Sequence, residues 1–169
     1  MDTTRSEQQL TRHRKQGFSA RRKVQQYERR FRASPAELFP LLCPTREADW
    51  IPGWACDLVH TTTGYVERDC VFTTDDRNPF GAGTWVIHDH EEDARLELVK
   101  TSEQLILQMR IAIADAPDGG TLGRWTLSLT GLTPAGNALI DSMPDQDPRF
   151  LALLDALDHY LRSGRMVGC

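Results

Sequence analysis

The residues from Leu105 to Leu129 limit the fold most strictly. Leu105, Leu107, Met109, Ile111 and Ile113 fall at every second position, and Trp125, Leu127 and Leu129 repeat the pattern between Arg124, Thr126 and Ser128. Successive side chains point to opposite faces of a strand, so each run is a strand with one apolar and one polar face. The stretch APDGGTLG between them carries the glycines of a tight reversal. Two such strands joined by a hairpin require an antiparallel sheet with one wet face and one dry face. The dry face needs a cover. The C-terminal PRFLALLDALDHYLRSG supplies one, with Phe150, Leu153, Leu154, Leu157, Tyr160 and Leu161 on one helical stripe and Gly164 as its stop.

The remaining elements follow from local signals. VQQYERRFRAS places Tyr27 and Phe31 on one side of a first strand. Ser34 caps and Pro35 opens a short helix with Glu37 in its first turn. TREADW reads as a second short helix stopped by Pro52 and Gly53. CDLVHTTT, DCVFTTD, TWVIHDH and ARLELVK then read as strands, with the Gly/Asn/Pro-rich loop DDRNPFGAG before the third of these. Thr133 caps a helix that starts at Pro134, and Pro144 and Pro148 interrupt it before it resumes, which predicts a kink or a short unwound segment.

The order of these elements, with ASPAELFPLL directly after the first strand, CPTREADWIPGW next, and CVFTT, TWVI, LTPAGNALI and LDHYLRSGRM as later landmarks, resembles the START-like, or SRPBCC, helix-grip superfamily. CPTREADWIPGW and the later landmarks resemble a bacterial subgroup of it. The resemblance runs from about Val24 to Gly164. It implies an α+β fold in which a curved antiparallel sheet of six to seven strands wraps a long C-terminal helix, with two short helices after the first strand. The expected organisation is a basic arm over residues 1–23, frayed or disordered, a domain over 24–164 and a tail over 165–169. The superfamily includes pollen-allergen-like steroid binders, lipid-transfer domains, polyketide cyclases and a chaperone ATPase activator, so the fold leaves several functions open.

In this fold the space between sheet and helix is often a cavity. The resemblance puts READWIPGW at its rim, and strand alternation turns Trp85 and Trp125 inward. The expected lining is Trp50, Trp54, Phe72, Trp85, Leu96, Met109, Ile111, Trp125, Leu127 and Leu139, an apolar set suited to a small hydrophobic molecule. The same residues would equally make an ordinary packed core. Glu47 shares a helical face with Trp50 and is the one weak catalytic candidate: a carboxylate in an apolar setting has a raised pKa and can move a proton. Arg46 and Asp49, three apart, pair at the surface. His88 and His90 would share the wet face of one strand, opposite Trp85 and Ile87, and without a third ligand they define no metal site. Arg124 also belongs to the wet face.

Three function classes therefore stand. Binding of a small hydrophobic molecule comes first, a cyclase-like or aromatase-like enzyme second, and a protein-interaction module with a filled core third. No cofactor is expected, because GxSxG, GxxxxGK[ST] and GxGxxG are all absent. No apolar run approaches the roughly 20 residues of a membrane span, and the N-terminus lacks the apolar segment of a secretory signal, so a cytoplasmic location is the default expectation. The cysteines at 43, 56, 70 and 169 form no CxxC pair and read as reduced thiols. Residues 1–32 carry ten Lys and Arg against three acids, whereas residues 33–169 carry ten against 21. Such an acidic body repels a polyanion, so the arm reads as a solvated tail that folds back on its own domain rather than a nucleic-acid grip. Homodimerisation is left open.

Overall fold

The computed structural model describes residues 17–168. The basic arm up to residue 16 and Cys169 lie outside the described residues. Strand β1 (Arg22–Phe31) leads into helix α1 (Pro35–Leu38) and a 3-10 turn over Phe39–Leu42. The Ser34 side chain and Glu37 form a capping box there, with the Ser34 N–H donating to Glu37 Oε2 at 2.8 Å. A second 3-10 turn, Glu47–Asp49, closes this region. Gly53 ends it at φ 76°, a left-handed conformation that glycine takes without strain.

Six more strands follow: β2 (Asp57–His60), β3 (Val71–Thr74), β4 (Gly83–Glu91), β5 (Arg95–Thr101), β6 (Leu105–Asp115) and β7 (Thr121–Gly131). All seven form one antiparallel sheet in the order β1-β7-β6-β5-β4-β3-β2. Sequential hairpins account for every pairing but one. The exception joins β1 to β7, with Arg22 opposite Thr130 and Phe31 opposite Thr121.

The interrupted terminal helix is two helices, α2 (Pro134–Ser142) and α3 (Pro148–Ser163). Thr133 Oγ1 caps the first by accepting from Gly136 N–H at 3.1 Å, and Asp147 caps the second. The unwound residues between them are tied to β1. Lys23 Nζ donates to Met143 O at 2.5 Å, Gln25 Nε2 to Pro144 O at 2.7 Å and Gln146 Nε2 to Gln26 O at 3.0 Å. Asp147 N–H donates to the Tyr27 hydroxyl at 2.8 Å. Backbone groups freed by the two prolines thus find partners on the neighbouring strand.

Helix α3 covers the dry face. Phe150, Leu154 and Leu157 are buried in one cluster with Met109, Ile111, Trp125, Phe72 and Trp85, and the Phe150 ring lies 4.4 Å from that of Tyr27. This is a helix-grip architecture: a seven-stranded antiparallel sheet packed on a C-terminal helix, with short helical segments after the first strand.

Strand β4 departs from simple alternation. Its register with β5 shifts between Ile87 and Asp89, so Asp89 stands opposite Glu97 and His90 opposite the buried Leu96. A bulge inserts one residue and re-aims the side chains beyond it. His88 stays on the wet face, 3.7 Å from Glu97, while His90 turns inward and its ring packs 5.4 Å from that of Phe39. The two histidines therefore do not share a face. Among the described residues no group of three His, Cys, Asp or Glu could hold a metal ion, and no helix is long and apolar enough to cross a membrane.

Candidate functional site

The 3-10 turn and the two tryptophans of READWIPGW form one end of the interior. The turn is held from both sides: Arg46 Nε donates to Asp49 Oδ2 at 2.6 Å, and Trp50 N–H to Glu47 O at 3.2 Å. Both indoles are fastened to backbone. Trp50 Nε1 donates to Leu41 O at 2.8 Å and Trp54 Nε1 to Pro44 O at 2.7 Å. A buried indole needs such a partner, and these bonds fix both rings as walls.

Between this end, the sheet and α3 lies a cavity of about 50 Å³. Trp50, Trp54, Phe72, Trp85, Leu96, Met109, Ile111 and Trp125 all line it. Leu127 does not. It lines a separate groove of about 480 Å³, which opens between β5, β6, β7 and the start of α3. Leu139 is a correction: it sits on the outer side of α2, 47% exposed, and lines neither space. Helix α2 packs its buried side through Gly136 and Ile140 instead. Arg124 pairs with Glu28 on the wet face at 2.8 Å, and His60 is exposed.

Glu47 also lines the cavity. Its side chain keeps some exposed surface, yet its carboxyl makes no hydrogen bond or ion pair with any described residue. Removal from bulk water raises its pKa from the ordinary 4.5 to about 8. The group is consequently mostly protonated at neutral pH and acts as a donor. Cys56 lies close enough to feel its charge. Burial, and then Glu47, push the thiol up to about 11, so Cys56 is no nucleophilic thiolate.

Trp125 is a further wall of the cavity. The benzo edge of its ring lies over Gly123, where an added Cβ would stand 2.6 Å from Cη2 and Cζ3. Its Nε1 has no hydrogen-bond partner among the described residues, unlike those of Trp50, Trp54 and Trp85.

One wall residue not legible as such comes from a loop. Phe80, from the Gly/Asn/Pro-rich loop, packs edge-on to Trp54 and Trp85 with centroids 6.0 and 5.9 Å away. Phe80, Phe150 and Leu153 line both the cavity and the groove, so they form the partition between the two spaces. Lys100 lines the groove. Alternation does give a signal for it, since it shares parity with the inward Leu96 and Leu98.

No protein-family model matches the sequence, and no curated protein is similar to it. Solved structures do share its fold. Norcoclaurine synthase from Thalictrum flavum is 11% identical with a TM-score of 0.64, covering 89% of this chain and 95% of its own. Ara h 8.0201 is 15% identical with a TM-score of 0.58, covering 85% and 99%. DynU16, a protein of the dynemicin biosynthetic locus, is 15% identical with a TM-score of 0.60 over 85% of this chain and 48% of its own. The likeness is one of fold: these structures share the helix-grip architecture that the chain's own strands and helices display.

Proposed function

We propose that the protein binds a small hydrophobic molecule carrying one acceptor oxygen, in the space between the sheet and α3. One observation carries this reading: Glu47 presents an unpartnered carboxyl to an otherwise apolar cavity. Packing alone gives no reason for it, since a carboxyl largely withdrawn from bulk water without a partner costs stability. A guest that accepts hydrogen bonds from protonated Glu47 and from the Trp125 N–H offsets that cost, while its apolar body contributes roughly 25 cal/mol per Å² buried.

The cavity as it stands holds only a few waters, against the roughly 300 Å³ or more of ordinary ligand sites. The groove of about 480 Å³ lies just beyond Phe80, Phe150 and Leu153. Rotation of those side chains joins the two spaces, and the combined volume suits a guest of a few hundred daltons.

Titration with the neutral fluorophore N-phenyl-1-naphthylamine tests the reading. Saturable one-site binding is expected, lost in an Ile111→Trp variant that keeps the wild-type circular dichroism. Absence of saturable binding to the wild type overturns it. That result favours the interaction-module reading, in which the near-filled interior is simply a core.

A cyclase-like enzyme is the second reading, favoured by the pKa of Glu47. A value of about 8 suits proton transfer near neutrality. In that case Glu47→Gln abolishes turnover of a bound reactive carbonyl compound and leaves its affinity in place.

A further inference from the structure

Lys100 occupies an unusual position for a cation. Its place on β5 has the inward parity of Leu96 and Leu98, and its side chain is half-buried at the wall of the groove. Nζ donates to Phe80 O at 2.5 Å and lies 5.5 Å from the Trp85 ring. Among the described residues no carboxylate oxygen lies within 4.0 Å of it. Among the described residues the other Lys and Arg side chains without such a carboxylate, Arg22, Arg32 and Arg165, are all exposed to solvent. Lys100 alone is withdrawn from water without an anionic partner.

The neighbouring charges leave this vacancy intact. Asp76 acts on Lys100 only from beyond ion-pair distance. Asp147, the one acid lining the groove, is gripped by Arg149, whose Nη2 stands 2.7 Å from Oδ2. Around Lys100 the groove is apolar, with Leu105, Leu107, Leu129, Met143 and Phe150 on its walls. The partition of Phe80, Phe150 and Leu153 separates it from the cavity.

We infer that the guest of this protein is an amphipathic carboxylate, whose head pairs with the Lys100 ammonium in the groove and whose largely apolar body, bearing the acceptor oxygen that meets Glu47, passes the partition into the cavity. The inference rests on the binding function proposed above and adds the charge of the ligand. A desolvated ammonium regains in the ligand carboxylate the solvation it has lost, and a hydrogen bond to a charged group is among the stronger single contacts. Phe80 couples the two spaces physically, because its carbonyl holds Lys100 while its ring walls the cavity.

Calorimetric titration of the whole chain at pH 7 with octanoate and with 1-octanol tests this. The two probes share an apolar body and differ in the head. Octanoate is expected to bind roughly tenfold to a hundredfold more tightly, the range of one charge-assisted hydrogen bond. Lys100→Met should remove that preference, with an unchanged circular dichroism spectrum reporting an intact fold. Lys100→Arg should retain the preference. Equal binding of the two probes to the wild type, or a preference that survives Lys100→Met, overturns the inference while the binding function stands. Failure of both probes to bind overturns both.

Discussion

Phe72 and Trp85 stand directly opposite each other on β3 and β4, and their rings stack with centroids 5.5 Å apart and planes 7° from parallel. The pair forms one wall of the interior. It is held on two flanks: Trp85 Nε1 donates to Thr74 Oγ1 at 3.0 Å, and Phe80 packs edge-on at 5.9 Å. Stacked aromatics across strands contribute beyond the area they bury.

Trp85→Ala should therefore lower unfolding stability by about 3–5 kcal/mol, as large-to-small core changes do. Trp85→Phe keeps a ring in the stack and loses the N–H bond and part of the buried indole, so about 1–2 kcal/mol is expected. Urea unfolding followed by circular dichroism separates the two. Similar losses would show that the hydrogen bond, rather than the stack, holds the wall.

Glu47 should make the fold less stable as pH rises. Its pKa is about 8 folded against an ordinary 4.5, so between these values the native state holds a proton that the unfolded chain has released. Stability then falls with rising pH across that window, by at most about 1.4 kcal/mol per unit. Glu47→Gln removes this dependence. The variant should match the wild type near pH 4.5 and exceed its Tm increasingly toward pH 8, in thermal scans across that range. A constant difference between the two proteins would refute the raised pKa.

Gly123 is the seat of Trp125. A methyl group there would stand 2.6 Å from the ring, so Gly123→Ala must push the indole toward the cavity. Overpacking of this kind typically costs about 1–3 kcal/mol. The variant should unfold earlier, show altered tryptophan emission, and lose any apolar probe that the wild type binds. Unchanged emission would mean that the strand backbone yields instead.

The break between α2 and α3 should depend on β1 side chains. Tyr27→Phe deletes the acceptor of Asp147 N–H and leaves a part-buried donor without its bond, at a cost of about 1–3 kcal/mol. Amide hydrogen exchange should accelerate at residues 145–150 more than in β6. Uniform acceleration would show that the break has no stability of its own.

Most of the architecture was legible because period-two alternation survives nearly intact in β6 and β7, and prolines mark the helix boundaries. The inward direction of Trp85 and Trp125 followed from the same parity, whereas Trp50 and Trp54 were placed only by the resemblance. What failed were features set by partners distant in sequence. The bulge after Ile87 is a matter of register with β5, so nothing in WVIHDH announces that His90 turns inward. Leu139 looks like a core residue of an amphipathic helix, yet α2 meets the sheet through Gly136, where an added Cβ would stand 2.0 Å from Gln104 O. Phe80 was hidden in a loop whose composition signals only a turn. Lys100 was legible and overlooked, because a lysine at an inward position invites reading as a strand end.

The pairing of β1 with β7 has a consequence for how the chain is made. Arg22 cannot meet Thr130 until more than one hundred residues have followed it. At ribosomal speeds of about 5–20 residues per second, the first strand to emerge waits roughly 5–20 s for its only neighbour. Throughout that delay it is an unpaired edge that could be captured by another nascent chain. Its outward positions carry Arg22, Gln26, Glu28 and Arg30 around one exposed apolar residue, Val24, and charged side chains are what discourages such capture. The polar face of β1 thus guards the newborn chain before it serves the finished fold.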